Sequence, residues 1–303
     1  MSVFGPPEVV ATGLRFPEGP VAMADGSVLL VEIARGTLTR VAPDGSLSVV
    51  AELGGGPNGL AIGPDGAAYV CNNGGFEWTE AGSLLFPGHA ANADACGSIQ
   101  RVDLATGAVT TLYDSFEGEP LKGPNDIVFD ASGGFWFTDH GQVRASGRDH
   151  GAIYYANADG STISCQRADM MGPNGVGLSP DGRTLYVSET MTARVWAMNI
   201  VTPGILAPPP PWAPGRLVGT PPAFRLLDSM AIEESGRICV GTMVEGGITI
   251  FDPDGGSEFV PLPDVGITNI AFGGADRRDA FITASTTGTL YRIRWPRPGL
   301  IVN

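Results

Sequence analysis

Several things are missing from this chain of 303 residues, and each absence removes a class of protein. No segment approaches the roughly 18 consecutive apolar residues that a membrane-spanning helix needs. The N-terminus, Met1-Ser2-Val3-Phe4-Gly5-Pro6-Pro7, has no basic stretch followed by an apolar one. No signal peptide is read there, and a cytoplasmic location is expected. The four cysteines, Cys71, Cys96, Cys165 and Cys239, have no CxxC spacing and no clustered histidine. They read as buried or stray thiols, with a Cys71–Cys96 bridge as the alternative in an exported protein. There is no Gly-x-Ser-x-Gly elbow, no His-Glu-x-x-His and no phosphate-binding glycine loop. Serine hydrolases of that type, zinc proteases and nucleotide-binding folds therefore lack support.

Positive charge is also short. Lys plus Arg number 18 against 32 Asp plus Glu, a formal charge of −14. A field of that sign disfavours nucleic acid and anionic membrane surfaces as partners, although it leaves room for a local cationic pocket. Charged residues make up only 17%, whereas Gly (44) and Pro (25) are plentiful and hydrophobic residues reach 43%. That balance predicts a globular chain of many short strands and tight turns.

What is present is a repeat. Pro17-Glu18-Gly19, Pro57-Asn58-Gly59, Pro124-Asn125-Asp126, Pro173-Asn174-Gly175, Leu227-Asp228-Ser229 and Thr268-Asn269-Ile270 each precede a short apolar strand and a turn. The turns carry glycine, as in Pro64-Asp65-Gly66 and Pro180-Asp181-Gly182. Successive polar anchors lie 40, 67, 49, 54 and 41 residues apart from Glu18 to Asn269. Units of that length built from short strands are the mark of propeller blades. The predicted fold is all-β, a six-bladed β-propeller forming one domain over residues 1–303. Blade six shows only three strands, so the segment Glu8-Val9-Val10-Ala11-Thr12-Gly13-Leu14 is expected to supply its fourth and close the ring. Two excursions stand out. Residues 74–96 form a lid-like insertion with Phe76, Trp78, Phe86 and His89, and residues 202–222 form a proline-rich surface loop.

In a propeller the innermost strands line the channel, and each anchor is expected just before one of them. Glu18, Asn58, Asn125, Asn174, Asp228 and Asn269 should then ring one mouth. The second strands return to the same mouth and bring Glu32, Asn72, Asn73, Asp139, His140, Glu189, Thr190, Met243 and Ser285 to its border. The ring offers oxygen donors only, a set suited to a hard divalent cation. Calcium is the default, with magnesium, manganese, zinc or iron(II) as alternatives. Asn before Gly is also good turn chemistry, which accounts for any one triplet alone. It does not account for two carboxylates at the equivalent position, because buried carboxylates need a cation or donors.

Pro17-Glu18-Gly19-Pro20, Pro124-Asn125-Asp126, Pro173-Asn174-Gly175 and Leu227-Asp228-Ser229 together resemble the signature of the senescence marker protein/gluconolactonase family, which includes regucalcin. Diisopropyl fluorophosphatase and the luciferin-regenerating-enzyme-like proteins are similar. The resemblance spans the chain and implies a six-bladed propeller with a divalent metal at the channel mouth and lactone hydrolysis as the commonest activity. It implies Glu18, Asn174 and Asp228 as direct ligands, and Asn125 as a fourth ligand or a substrate-positioning amide. Sugar-lactone members often carry an arginine two residues before the latter position. Here that residue is Gly123, with Lys122 beside it as a substitute.

Opening an ester needs a polarised carbonyl, an activated water or nucleophile and a stabilised oxyanion. Asp228 is assigned as general base, or alternatively nucleophile, with Glu18 holding the metal. Asn58, Asn73, Asn125, Asn269, Lys122 and His140 are the substrate-binding candidates. A lone histidine is most often structural, and His150, in a polar loop, is the weaker of the two nearby histidines. A small lactone is thus the expected partner. A phosphotriesterase of the fluorophosphatase type and a non-enzymatic binding propeller are the alternatives.

Overall fold

The computed structural model describes residues 4–300. It is all-β among those residues, with six sheets of four or more strands arranged as a propeller. Blade one is Pro17–Ala22, Val28–Glu32, Thr37–Val41 and Leu47–Glu52, paired in chain order. The inner strands of the other five are Pro57–Ile62, Pro124–Phe129, Pro173–Leu178, Leu226–Ile232 and Ile267–Gly273. Every ladder between an inner strand and the next is antiparallel.

The sequence folds this way because the strands are apolar on both faces. In a propeller each blade is sandwiched between two others, so both sides of its middle strands must be covered. Val28-Leu29-Leu30-Val31 shows the division. Leu29 and Val31 pack with Leu60 and Val70 of blade two, while Val28 and Leu30 pack with Phe281 and Leu290 of blade six. Gly134–Asp139 repeats it with aromatics. Phe135 and Phe137 join Tyr69 and Phe129, and Trp136 turns the other way to Val176 and Val187.

The expected closure is present. Glu8–Ala11 pairs antiparallel with Thr289–Arg294 and supplies the outer strand of blade six. The C-terminal segment adds a second tie at the opposite end of the channel. Trp295 Nε1 and Arg297 Nε donate to Glu233 at the end of blade five's inner strand, at 2.8 and 2.6 Å.

Two expectations change. The proline-rich stretch at 202–222 is not wholly a loop, since Arg216–Gly219 pairs with Val195–Ala197 as the outer strand of blade four. No proline falls between Pro214 and Pro221, which leaves Arg216 to Gly219 free to donate to the ladder. The anchors lie inside the inner strands, at their first turn of the pleat, not ahead of them. In all six blades the pairing register breaks beside the anchor, for instance between Glu18 and Val21, Pro57 and Leu60, and Pro173 and Val176. Such a break bends the strand and releases its side chain from the alternation that would point it into a neighbouring blade.

Deleting residues 1–13 removes the closing strand and exposes the edge of Thr289–Arg294. The expected loss is about 2–4 kcal/mol, read as a fall of roughly 5 °C or more in the thermal midpoint with increased self-association. An unchanged midpoint would mean that the strand does not close the ring.

Candidate functional site

Each second strand ends beside the residue that leads into an anchor: Glu32 opposite Pro17, Asn72 opposite Pro57, Asp139 opposite Pro124 and Glu189 opposite Pro173. These polar side chains border the mouth as expected, but they grip the backbone. Glu32 accepts from Arg15 N–H, Asn72 from Gly56 N–H, Asp139 from Lys122 and Gly123 N–H, and Glu189 from Met171 N–H, at 2.7–2.8 Å. Asp264 does the same for Gly266 N–H at 2.7 Å. In five blades, then, a side chain fixes the loop two or three residues before the anchor.

Hydroxyls tie the anchors to one another across blades. Ser188 donates to the carbonyl of Asp228 (2.6 Å), Ser285 to that of Pro17 (2.5 Å) and Thr138 to that of Asn174. The residue after the anchor must also be small where blades meet most closely. A Cβ at Gly59 would sit 2.4 Å from the carbonyl oxygen of Asn125, and one at Gly175 would sit 2.8 Å from that of Asp228. Glycine is required there by close backbone approach.

All six anchors are buried: Glu18, Asn58, Asn125, Asn174, Asp228 and Asn269 keep at most 8% exposure. Glu18 Oε2 accepts from Gly19 N–H and Asn269 Nδ2, both at 2.9 Å. Asn269 is thereby oriented by the carboxylate, its own Oδ1 accepting from Ile270 N–H. Asn174 Nδ2 donates to Thr190 Oγ1 (3.2 Å), and Asn174 Oδ1 accepts from Ser229 Oγ (3.3 Å). Asn58 is buried beside Gly19, whose ideal Cβ falls 2.8 Å from the Asn58 carbonyl oxygen. Burial raises the pKa of Glu18. Burial first, and then the charge of Glu18, push Asp228 well above the ordinary carboxylate range. Two like charges are thus held close in a medium that favours neither.

A third carboxylate, Asp126, belongs to this centre and was not among the sequence candidates. It is buried, and its oxygens accept from Ile127 N–H (3.0 Å) and, across the channel wall, from Val176 N–H (3.1 Å). Burial drives its pKa up to about 7. The signal was in the triplets: Asp126 stands where three other blades place glycine.

The rim is built from blades two and three. The insertion at 74–96 forms a hairpin, Phe76–Ala81 with Leu84–Ala90. Trp78 and Leu85 pack with Phe16 and Ile33, and Leu85 N–H donates to the Thr286 carbonyl of blade six at 2.9 Å. The hairpin therefore spans the mouth from blade two toward blade six. His89 is exposed, 4.0 Å from Glu77. At its base Asn73 is buried, with Oδ1 on Gly75 N–H and Nδ2 unpartnered. Lys122 is exposed at the rim. His140 keeps some exposure, with Nδ1 3.3 Å from the Gly141 carbonyl and 3.4 Å from Arg148. Desolvation, aided by the Arg148 charge, lowers its pKa to about 4. His150 lies outside this group, exposed and 3.6 Å from Asp169. All four cysteines are free.

The anchors fit a divalent cation. Asn125 Oδ1 is buried with no hydrogen-bond partner, an acceptor without a donor. Glu18 and Asp228 have no cationic side chain paired with them among the described residues. No three His, Cys, Asp or Glu among those residues are placed to hold a metal ion by themselves, so a cation here would take amide oxygens beside carboxylates. Nor is any helix long and apolar enough to cross a membrane.

The chain is thus a six-bladed propeller with carboxylates and amides at one channel mouth. Residues 16–286 match the SMP-30/Gluconolactonase/LRE-like region, and the chain belongs to that family. It is 28% identical to the gluconolactonase of Zymomonas mobilis over 94% of this chain and 80% of that protein. It is 29% identical to the diisopropyl-fluorophosphatase of Loligo vulgaris over 60% of each. Its fold is similar to that of a regucalcin from Agrobacterium tumefaciens described as a calcium-binding protein, with a TM-score of 0.75, 19% identity and coverage of 99% and 98%. A gluconolactonase from Xanthomonas campestris gives 0.74 at 23% identity, over 97% and 89%.

Two measurements follow from this electrostatics. Calcium at one hundred times its dissociation constant should stabilise the fold by about 2.7 kcal/mol, seen as a higher melting midpoint that a chelator reverses. Asp228→Asn should abolish most of that gain. Separately, a ring-NMR titration of His140 should inflect near pH 4, so that the ring is neutral above about pH 5. Protonation is harder folded than unfolded, so stability is lost as pH falls from 6.5 toward 4.

Proposed function

We propose that this protein hydrolyses a small lactone to its hydroxy acid with the help of one divalent cation. One observation carries the reading. Two buried, mutually repelling carboxylates and the unpartnered Asn125 Oδ1 converge at a mouth roofed by an apolar hairpin. A surface used only for protein contact has no reason to gather them there. Membership of a family whose relatives include gluconolactonases and lactonases supports the same activity.

Glu18, Asn125, Asn174 and Asp228 are the residues that would hold the cation, and the all-oxygen set favours calcium. The chemistry a divalent cation supplies when bound is polarisation of the carbonyl and neutralisation of charge developing on its oxygen. The chain provides the rest. Asp228 accepts a proton from the attacking water as its oxygen adds to the lactone carbonyl carbon. That proton returns to the ring oxygen as the carbon–oxygen bond breaks, leaving a free hydroxyl and a carboxylic acid. Glu18, held by Gly19 and Asn269, keeps its place through the cycle. Asn73, with a free amide donor, and Lys122 face the substrate from the rim, and His140 does so as a neutral ring. The hairpin over residues 76–90 acts as a lid that excludes bulk water.

The test is a chelator-sensitive acidification assay across aldonolactones, simple aliphatic lactones and a phosphotriester. Turnover of a lactone that stops with chelator is expected. Turnover of the phosphotriester alone would favour the fluorophosphatase chemistry, and silence with all three would favour a binding propeller. In the same assay Asp228→Asn should lose at least about 100-fold in kcat/KM with an unchanged circular dichroism spectrum. Near-native turnover by that variant would remove Asp228 from the mechanism.

A further inference from the structure

One half-buried cation at this mouth makes no ion pair among the described residues. The hairpin Val143–Arg144 with Gly147–Arg148 follows blade three's second strand and carries two arginines. Arg144 is fully engaged: Nε lies 3.3 Å from Asp149 Oδ2, while its two terminal nitrogens donate to the carbonyls of Ala93 (2.8 Å) and Ala95 (3.0 Å). It fastens this hairpin to the end of the insertion from blade two. Arg148 is half-buried and makes no ion pair among the described residues; its nearest polar neighbour is Nδ1 of His140 at 3.4 Å. The adjacent acid, Asp149, is already engaged by Arg144 and by Gln142 N–H (3.3 Å).

Its position relative to the anchors can be traced through His140. The His140 backbone N–H donates to the Gly123 carbonyl at 2.8 Å, two residues before Asn125. On the other side, a Cβ at Gly172 would lie 2.9 Å from His140 Nε2, and Gly172 is two residues before Asn174. His140 is thus wedged between the loops leading into two anchors, and Arg148 covers it. Lys122 shares this rim. Its N–H is held by Asp139, the residue before His140, and its side chain is exposed. It is the only lysine in the chain.

Desolvating a guanidinium without an anion is unfavourable, and the imidazole beside it offers one long hydrogen bond and no opposite charge. In a chain of net charge −14 with most arginines paired to carboxylates, a half-buried Arg without an ion pair, on the same rim as the only Lys, marks a place where the missing anion comes from outside. We infer that Arg148, with Lys122, binds a compact oxyanion on the substrate, a carboxylate or phosphate on a carbon remote from the ester that is cleaved. The fork of the guanidinium suits either group. This inference rests on the lactonase reading and narrows it, from neutral lactones to lactones that carry a second, ionised group.

The comparison is among three 1,5-lactones that differ only at C6: glucono-, glucaro- and 6-phosphogluconolactone, with the calcium-loaded enzyme. We expect kcat/KM for one of the C6-anionic lactones to exceed that of the neutral lactone at least tenfold. Arg148→Gln should lower that preference at least tenfold, through KM, and Arg148→Lys should restore part of it. Raising the ionic strength from 20 to 200 mM should weaken the preference in the unmodified protein, which needs no variant. The identity of the favoured lactone assigns the anion as carboxylate or phosphate. Calorimetry with glucarate, 6-phosphogluconate and gluconate reads the same site without turnover. If the neutral lactone is hydrolysed as well as the others, or if Arg148→Gln slows all three alike, the inference falls and the lactonase reading stands. If no lactone reacts but an anionic acid binds in an Arg148-dependent way, the lactonase reading falls and the oxyanion site stands.

Discussion

Two carboxylates buried side by side at the end of a ring of strands impose the constraint on which the rest of this structure depends. Glu18 and Asp228 come from the first and fifth blades, 210 positions apart in the chain, and each raises the cost of ionising the other. Held only by neutral donors, they would move apart unless the backbone beneath them were rigid. The structure supplies that rigidity in layers. A register break in every blade frees the anchor to face the channel, and hydroxyls at the ends of three second strands pin carbonyls at or next to neighbouring anchors. Polar side chains such as Glu32, Asp139 and Glu189 lock the loops in front. Asp126 joins blades three and four from below.

These devices separate two kinds of polar residue that look alike along the chain. Carboxylates such as Glu32 and Asp139 have their oxygens filled by donors of the protein. Asn125 Oδ1 has no such donor. Proximity to the mouth is therefore a poor guide to chemistry; the number of unfilled lone pairs is a better one. By that measure the ligand-facing groups are few, and most of the polarity around the channel is scaffolding.

The rim follows different rules from the ring. Blades one, five and six contribute short turns, whereas blades two and three send out hairpins that meet over the mouth, bound together by Arg144 and the carbonyls of Ala93 and Ala95. The packing of Phe16 against Trp78, with ring centroids 5.1 Å apart, shows how the insertion is docked. The apolar insertion belongs to blade two and the cationic edge to blade three. Such asymmetry on a near-symmetric scaffold is what discrimination among small substrates requires.

The sequence by itself determined the architecture. A triplet recurring every 40 to 67 residues, with short apolar strands after it, specifies blades, because each unit has two faces to bury and only its neighbours can bury them. Closure by the N-terminal strand and the six anchors were legible for the same reason. What the repeat could not convey is which polar atoms are left unfilled, since that depends on contacts between residues from different blades. Glu18 meeting Asn269 and Asp126 meeting Val176 are pairings between neighbouring blades, invisible to spacing along the chain. The outer strand of blade four was masked by its prolines, and Arg148 looked like one more charge in a polar turn. Only tertiary structure distinguishes it from Arg144 four residues earlier, because only there is one arginine paired with a carboxylate and the other set against an imidazole.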